Sequence, residues 1–245
     1  MGVKTSNPHG YVVHISEGAL MQMCIGTLEA YLVRHEGNMG GKTRLETYGS
    51  LFGGEVELPG GKTFYSIEFF SVDTSAEMSH DSVVPNWKAS KLKADLLTSF
   101  FPQYSFLGDF HTHPYSANYR DIRNQKLYRF TDQDFARVAR DPKNWIQHGY
   151  RVGLVLTISR LKKNPKVRLN TQIDIGTTEF TLGHFRLWLK AYVAYLDEDQ
   201  KHLQFADGGD VMIRCPSLEG LWQCTEFGGD ARWLNGRTKR RLRAV

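Results

Sequence analysis

The sequence predicts a mixed α/β fold, on three observations. Apolar residues recur every three or four positions in some segments, as in half-buried helices, while other segments are short runs rich in Val, Ile, Phe and Tyr, as in strands. Gly and Pro clusters separate the two kinds. With 41% hydrophobic residues in 245, the chain has enough apolar side chains for one sizeable core or two small ones.

Ser16 is an N-cap candidate, and Leu20, Met21, Cys24, Ile25, Leu28, Tyr31 and Leu32 follow at helical spacing. A first helix is therefore expected over 16–35, stopped by the Gly-rich run 37–41. Leu45 to Phe52 reads as a strand ending at Gly53-Gly54. After a turn at Pro59-Gly60-Gly61, Thr63 to Asp73 reads as a hairpin partner for it. Residues 74–86 are polar, contain a Pro and read as a loop. Ala89, Leu92, Leu96, Leu97 and Phe100 mark a second helix that ends before Pro102.

Tyr104 to Phe110 is a short apolar strand, followed by a polar and aromatic segment, 114–130. Thr131, with Asp134 three residues on, announces a third helix by a capping-box-like start. Arg151 to Ser159 reads as a buried strand, Leu161 to Pro165 as a basic turn, and Val167 to Ile175 and Phe180 to Tyr195 as further strand or mixed segments. Composition changes after Asp197. The chain thus divides into a domain over 1–197 and an extension over 198–245, packed on it through Val211, Met212, Ile213, Trp222 and Trp233.

The formal charge of +5 owes much to the run Arg237 to Arg243, and no nucleic-acid-reading motif accompanies it, so nucleic acid is not an expected partner. No stretch approaches the roughly 18 apolar residues of a membrane-spanning helix, and MGVKTSNPHG lacks the layout of a secretory signal. A cytoplasmic location is expected. Cys24, Cys215 and Cys224 are too few and too widely spaced for a disulfide framework and read as buried thiols.

Chemistry concentrates in Gly108-Asp109-Phe110-His111-Thr112-His113-Pro114. Two histidines one residue apart on an extended chain face the same way, and such a pair can share one metal ion. A catalytic zinc takes three protein ligands and leaves a position for water, so a third ligand is needed. Asp134, in the first turn of the predicted third helix, is the best candidate and Asp121 competes with it. An acidic first turn also suits the helix dipole without any metal. Glu46, a carboxylate in an apolar strand, is a candidate base for the water proton, or a charge at a sheet edge facing solvent.

These residues resemble the JAMM (JAB1/MPN-plus/Mov34) zinc metallopeptidases, whose pattern is a Glu, then His-Ser/Thr-His-Pro, then Ser-x-x-Asp. Here it maps onto Glu46, onto His111-Thr112-His113-Pro114 and onto Thr131-Asp132-Gln133-Asp134, over roughly residues 11–160. The resemblance implies an MPN/JAB (cytidine-deaminase-like) fold, a central mixed sheet flanked by helices. It implies one Zn2+ held by His111, His113 and Asp134, Glu46 as general base and acid, and Thr131 in place of the serine that steadies the oxyanion.

It further implies hydrolysis of the peptide or isopeptide bond after the C-terminal glycine of a ubiquitin-like protein, as in prokaryotic JAB-domain deubiquitinase-like isopeptidases. The partners would be that protein or its conjugate and the activating or conjugating enzymes of its pathway. Residues 114–130 make a longer gap than the family's, expected to loop out as a lid, a surface for the modifier's tail or a mobile loop. The 74–86 loop, with His80, Asp81 and Trp87, is placed to frame the other side of a groove.

Two other readings stand beside this one. Asp109-Phe110-His111-Thr112-His113 also resembles the Asp-x-His-x-His of PHP and amidohydrolase barrels, which need about 250 residues for the barrel. A non-catalytic MPN-type module would keep the metal and recruit a partner.

Overall fold

The computed structural model describes residues 10–35, 43–140, 149–162, 170–196 and 203–219. Its strands are β1 (Tyr11–Ile15), β2 (Tyr48–Leu58), β3 (Lys62–Val72), β4 (Glu77–Met78), β5 (Val83–Val84), β6 (Ser105–Tyr115), β7 (Val152–Arg160), β8 (Thr171–Asp174), β9 (Thr177–Leu182), β10 (Phe185–Leu196), β11 (Leu203–Ala206) and β12 (Val211–Arg214). The helices are α1 (Glu17–Leu32), α2 (Trp87–Phe100), α3 (Tyr119–Asn124) and α4 (Asp132–Ala139). The expected α/β class is what forms: a ten-stranded mixed sheet in the order β12-β1-β3-β2-β6-β7-β10-β9-β8, with β11 also on β10 and few helices against it. The β1 pairs with β12 and β3, and the β6–β7 pair, are parallel.

The sheet curls until its ends meet. Ile213 N in the first strand of that order donates to Ile175 O in the β8–β9 turn at 2.8 Å, and Tyr11 stacks on Tyr195. Inside the curl lies the main core, with Val13, Ile15, Met23, Ile67, Phe110, Leu154, Leu156, Leu187 and Leu189 all fully buried. Alternation along β6, β7 and β10 turns the other side chains to the opposite face. There α4 packs Val138 and Phe135 on Tyr192, and α3 packs Ile122 beside Tyr128 and Trp188.

Several expectations need correction. Gly53-Gly54 does not end β2, which continues to Leu58 through bulges near Phe52. A Cβ on Gly53 would lie 1.7 Å from Ser66 O, so glycine permits the close approach of β3 rather than a stop. The expected hairpin does form, its turn made by Gly60 and Gly61 at φ 85° and 76°. The 74–86 segment contains a small hairpin, β4 with β5. Helix α1, capped by Ser16, buries Leu20, Cys24 and Tyr31 as expected, together with Ala19, Met23, Gly26, Thr27 and Ala30, and leaves Met21, Ile25 and Leu32 exposed. Gly26 lets the helix lie close to β3, where a Cβ would meet Val72 Cγ2 at 2.9 Å. In α2 the apolar residues Leu92, Leu96 and Phe100 are likewise exposed.

Segment 114–130 is not a mobile loop. It folds into α3 and a turn whose Ile122 and Tyr128 are buried against Trp188. Residues 203–214 are built into the main sheet through β11 and β12, with Val211 and Ile213 fully buried, so the sheet draws strands from beyond Asp197. Cys24 and Cys215 are buried free thiols. The Gly-rich run 37–41, most of the basic turn, Trp222, Cys224, Trp233 and the basic run at 237–243 lie outside the described residues. No helix among the described residues is long and apolar enough to cross a membrane.

Candidate metal centre

The two histidines lie within β6 rather than after it. Pairing with β2 stops at His111 while pairing with β7 runs on to Tyr115, so Pro114 sits where one neighbour has ended and no ladder donor is missed. Period-two alternation puts Asp109, His111, His113 and Tyr115 on the face that α4 covers. Thr131 caps α4 in a full capping box: its hydroxyl accepts from Asp134 N, and its backbone N donates to Asp134 Oδ2 at 2.6 Å. The same box that starts the helix therefore aims the Asp134 carboxylate.

The result is a cluster of three metal-competent side chains. His111 Nε2 lies 3.2 Å from His113 Nε2 and 3.0 Å from Asp134 Oδ1, and His113 Nε2 lies 3.7 Å from Asp134 Oδ2. In metal-free protein one of these nitrogens can donate to the other or to Asp134, according to tautomer, and with both rings neutral the two lone pairs can instead share one cation. Tetrahedral zinc with ligands at ~2.0–2.1 Å would itself hold two nitrogens roughly 3.3 Å apart. His111, His113 and Asp134 thus form a group that can hold a metal ion, all their donor atoms lying within 4.8 Å of one another. Burial pushes the His111 pKa down and keeps the ring neutral, the form a metal needs. Burial opposes ionisation of Asp134, but hydrogen bonds with His111 and His113 outweigh it and hold the carboxyl well below the usual carboxylate range. The Nδ1 atoms of both rings are buried without a hydrogen-bond partner among the described residues.

No family model matches the chain, and no curated protein does. The site's meaning therefore rests on its geometry.

Glu46 lies just before β2, not in it. Its backbone N donates to Ser79 O at 2.7 Å, so the β4–β5 turn holds it. Its neighbour Thr47 is tied to Thr112, which stands between the two histidines: Thr47 N donates to Thr112 Oγ1 at 2.8 Å and Thr112 N to Thr47 O at 3.1 Å. The half-buried Glu46 carboxyl is pushed up to about 7, by burial first and by the charge of Asp134, against the pull of His113 and Arg137. Glu46, His111, His113, Thr131 and Asp134 all line one cleft of about 570 Å³, walled by His80, Asp81, Ser82 and Val83 on one side and by Gln133, Arg137 and Arg140 on the other. The 74–86 segment does frame the groove.

Asp121 is not in the cluster; it sits in the first turn of α3, paired with Asn118. Asp109 is also apart from it. It is 1% exposed and bound by Arg137 Nη2 at 3.0 Å and by Tyr150 Oη at 2.9 Å, and that tyrosine meets Tyr192 Oη at 2.5 Å. The barrel reading needs Asp109 at the metal and parallel strands around it, whereas β6 runs antiparallel to β2. Arg137 was not foreseen, although it stands three residues after Asp134 and hence on the same side of α4. With Asp109 two residues before His111, the pair fastens the helix bearing one ligand to the strand bearing the other two.

Proposed function

We propose that this chain is a single-zinc peptidase of the JAMM type with an MPN/JAB fold, which hydrolyses the peptide or isopeptide bond after the C-terminal glycine of a ubiquitin-like protein. One observation carries the reading: three metal-competent side chains and a separate carboxyl with a near-neutral pKa share a single open cleft. Two imidazoles and a carboxylate are a donor set suited to catalytic zinc. When bound, the metal supplies a Lewis acid for the scissile carbonyl and lowers the pKa of water.

The chain's own residues do the rest. His111, His113 and Asp134 would hold the metal, with Asp134 kept anionic and His111 kept neutral by their surroundings. Glu46 takes a proton from the attacking water and delivers it to the departing amine nitrogen, as a carboxyl that lines the same cleft as the metal-competent group is placed to do. Thr131 holds the ligand aspartate in place, since its hydroxyl donates to Asp134 Oδ2 at 2.9 Å. The partners in this reading are a ubiquitin-like protein or its conjugate, with the enzymes that activate or conjugate it in the cytoplasm.

Zinc-loaded protein is expected to cut a fusion in which a ubiquitin-like protein ends in glycine before a reporter. Mass spectrometry should place the cut after that glycine, and a chelator should stop the reaction until zinc is restored. Fusions of several such modifiers left intact by the zinc-loaded protein would contradict the proposal.

A further inference from the structure

We infer that the hydroxyl of Tyr115 is a catalytic hydrogen-bond donor to the oxyanion formed when water adds to the scissile carbonyl, an inference that rests on the proposed hydrolysis. Addition makes a C–O bond and moves the carbonyl π pair onto oxygen. Collapse re-forms C=O and breaks C–N, the amine leaving with the proton that Glu46 carries. Between these events the former carbonyl oxygen bears the charge, and a fixed donor aimed at it lowers the barrier.

Thr131 is badly placed for this duty, because its hydroxyl proton is directed to Asp134 Oδ2 at 2.9 Å. Several other polar groups lining the cleft are similarly occupied. Ser82 Oγ pairs with Ser79 Oγ, His80 Nδ1 with the carbonyl of Arg44, and Arg137 with Asp109. Gln133 is exposed. Tyr115 lines the same cleft, half-buried, and its hydroxyl has no hydrogen-bond partner among the described residues.

Its position is fixed from three sides. Two residues beyond His113 on β6, it shares that histidine's face, and the two rings meet edge to face with centroids 6.2 Å apart. Its carbonyl accepts from Tyr31 Oη at 3.0 Å. Its ring packs on the cluster of Ile122, Tyr128 and Trp188. The long segment 114–130 thereby acquires a purpose: it builds the wall that holds the phenol toward the cleft. A phenol is protonated at neutral pH and needs no activation to donate.

Tyr115→Phe keeps the ring and removes only the donor. Two quantities are measured on zinc-loaded wild type and variant: kcat and KM on the glycine-ended fusion, and the Kd of a phosphinate analogue in which a tetrahedral P–O⁻ replaces the glycyl carbonyl. The inference expects kcat to fall about 10²–10³-fold at nearly constant KM, and the phosphinate to bind correspondingly more weakly, with zinc content and melting temperature unchanged. Wild-type kcat and phosphinate affinity in the variant overturn the role of Tyr115 and leave the hydrolase reading intact. A zinc-loaded wild type that neither cleaves nor binds the phosphinate overturns the hydrolase reading, and this inference with it.

Discussion

Glu46→Gln is expected to lower kcat by about 10²–10⁴-fold while zinc content and affinity for the modifier stay at wild-type levels. Glutamine keeps the shape of the side chain and leaves the metal-binding group untouched, but it cannot accept the water's proton. Glu46 is held by Ser79 and, through Thr47, by Thr112, so the substitution changes its chemistry and not its place. A module that only recruits a partner loses nothing on this change, and that result would replace the enzyme reading.

The same substitution has a second, opposite signature in metal-free protein. Folding raises the Glu46 pKa from 4.5 to about 7. The native state therefore binds this proton more tightly than the unfolded chain. Its contribution to stability is complete below the unfolded value and is lost as pH rises through the folded one. Glutamine never ionises, so metal-free Glu46→Gln should be more stable than wild type at about pH 8, by on the order of 2–3 kcal/mol, and no more stable near pH 4. Thermal unfolding at the two pH values checks both limbs. Stability given up for a charge needed in the reaction is the usual relation at active sites.

Arg137→Met should produce the largest loss of stability. It removes the guanidinium from Asp109, a carboxylate almost without solvent contact, leaving neutral phenol hydroxyls such as that of Tyr150 and no counter-charge. An unpaired buried charge of this kind costs about 3–5 kcal/mol, a fall in melting temperature of roughly 6–20 °C for a chain of this size. The double change Asp109→Asn with Arg137→Met removes the charge as well as its partner and should recover much of the loss. Zinc affinity should weaken in the single variant, because Asp134 and the histidines lose the fastener between their elements. Denaturant unfolding of the three variants and a zinc titration read these effects; a single variant as stable as wild type would show that the pair is dispensable.

The metal-competent group was legible in the sequence because each member lies in a short-range pattern. His-x-His on a strand and Thr-x-x-Asp at a helix start fix local directions by alternation and capping, and the structure brings them together. Glu46 was legible as a residue but not in its setting, since the segment before β2 is held by Ser79 from a hairpin thirty-three residues on, a contact no local period announces. The 114–130 segment was misjudged for a similar reason: its aromatic residues look like a polar loop until Trp188 on β10 gives Ile122 and Tyr128 something to cover. Glycines misled once, at Gly53, where the cause lies in the approach of Ser66 across the hairpin. The edge pair β12 with β1 depends on pairing residues two hundred positions apart, and the curl on a contact from that edge to the β8–β9 turn.

Metal content of purified wild type beside Asp134→Ala and Asp121→Ala tests the central claim most directly. Wild type and Asp121→Ala should each carry one zinc per chain after equilibration, and Asp134→Ala should carry little. Equal zinc in all three proteins, or loss confined to Asp121→Ala, would contradict a centre made by His111, His113 and Asp134.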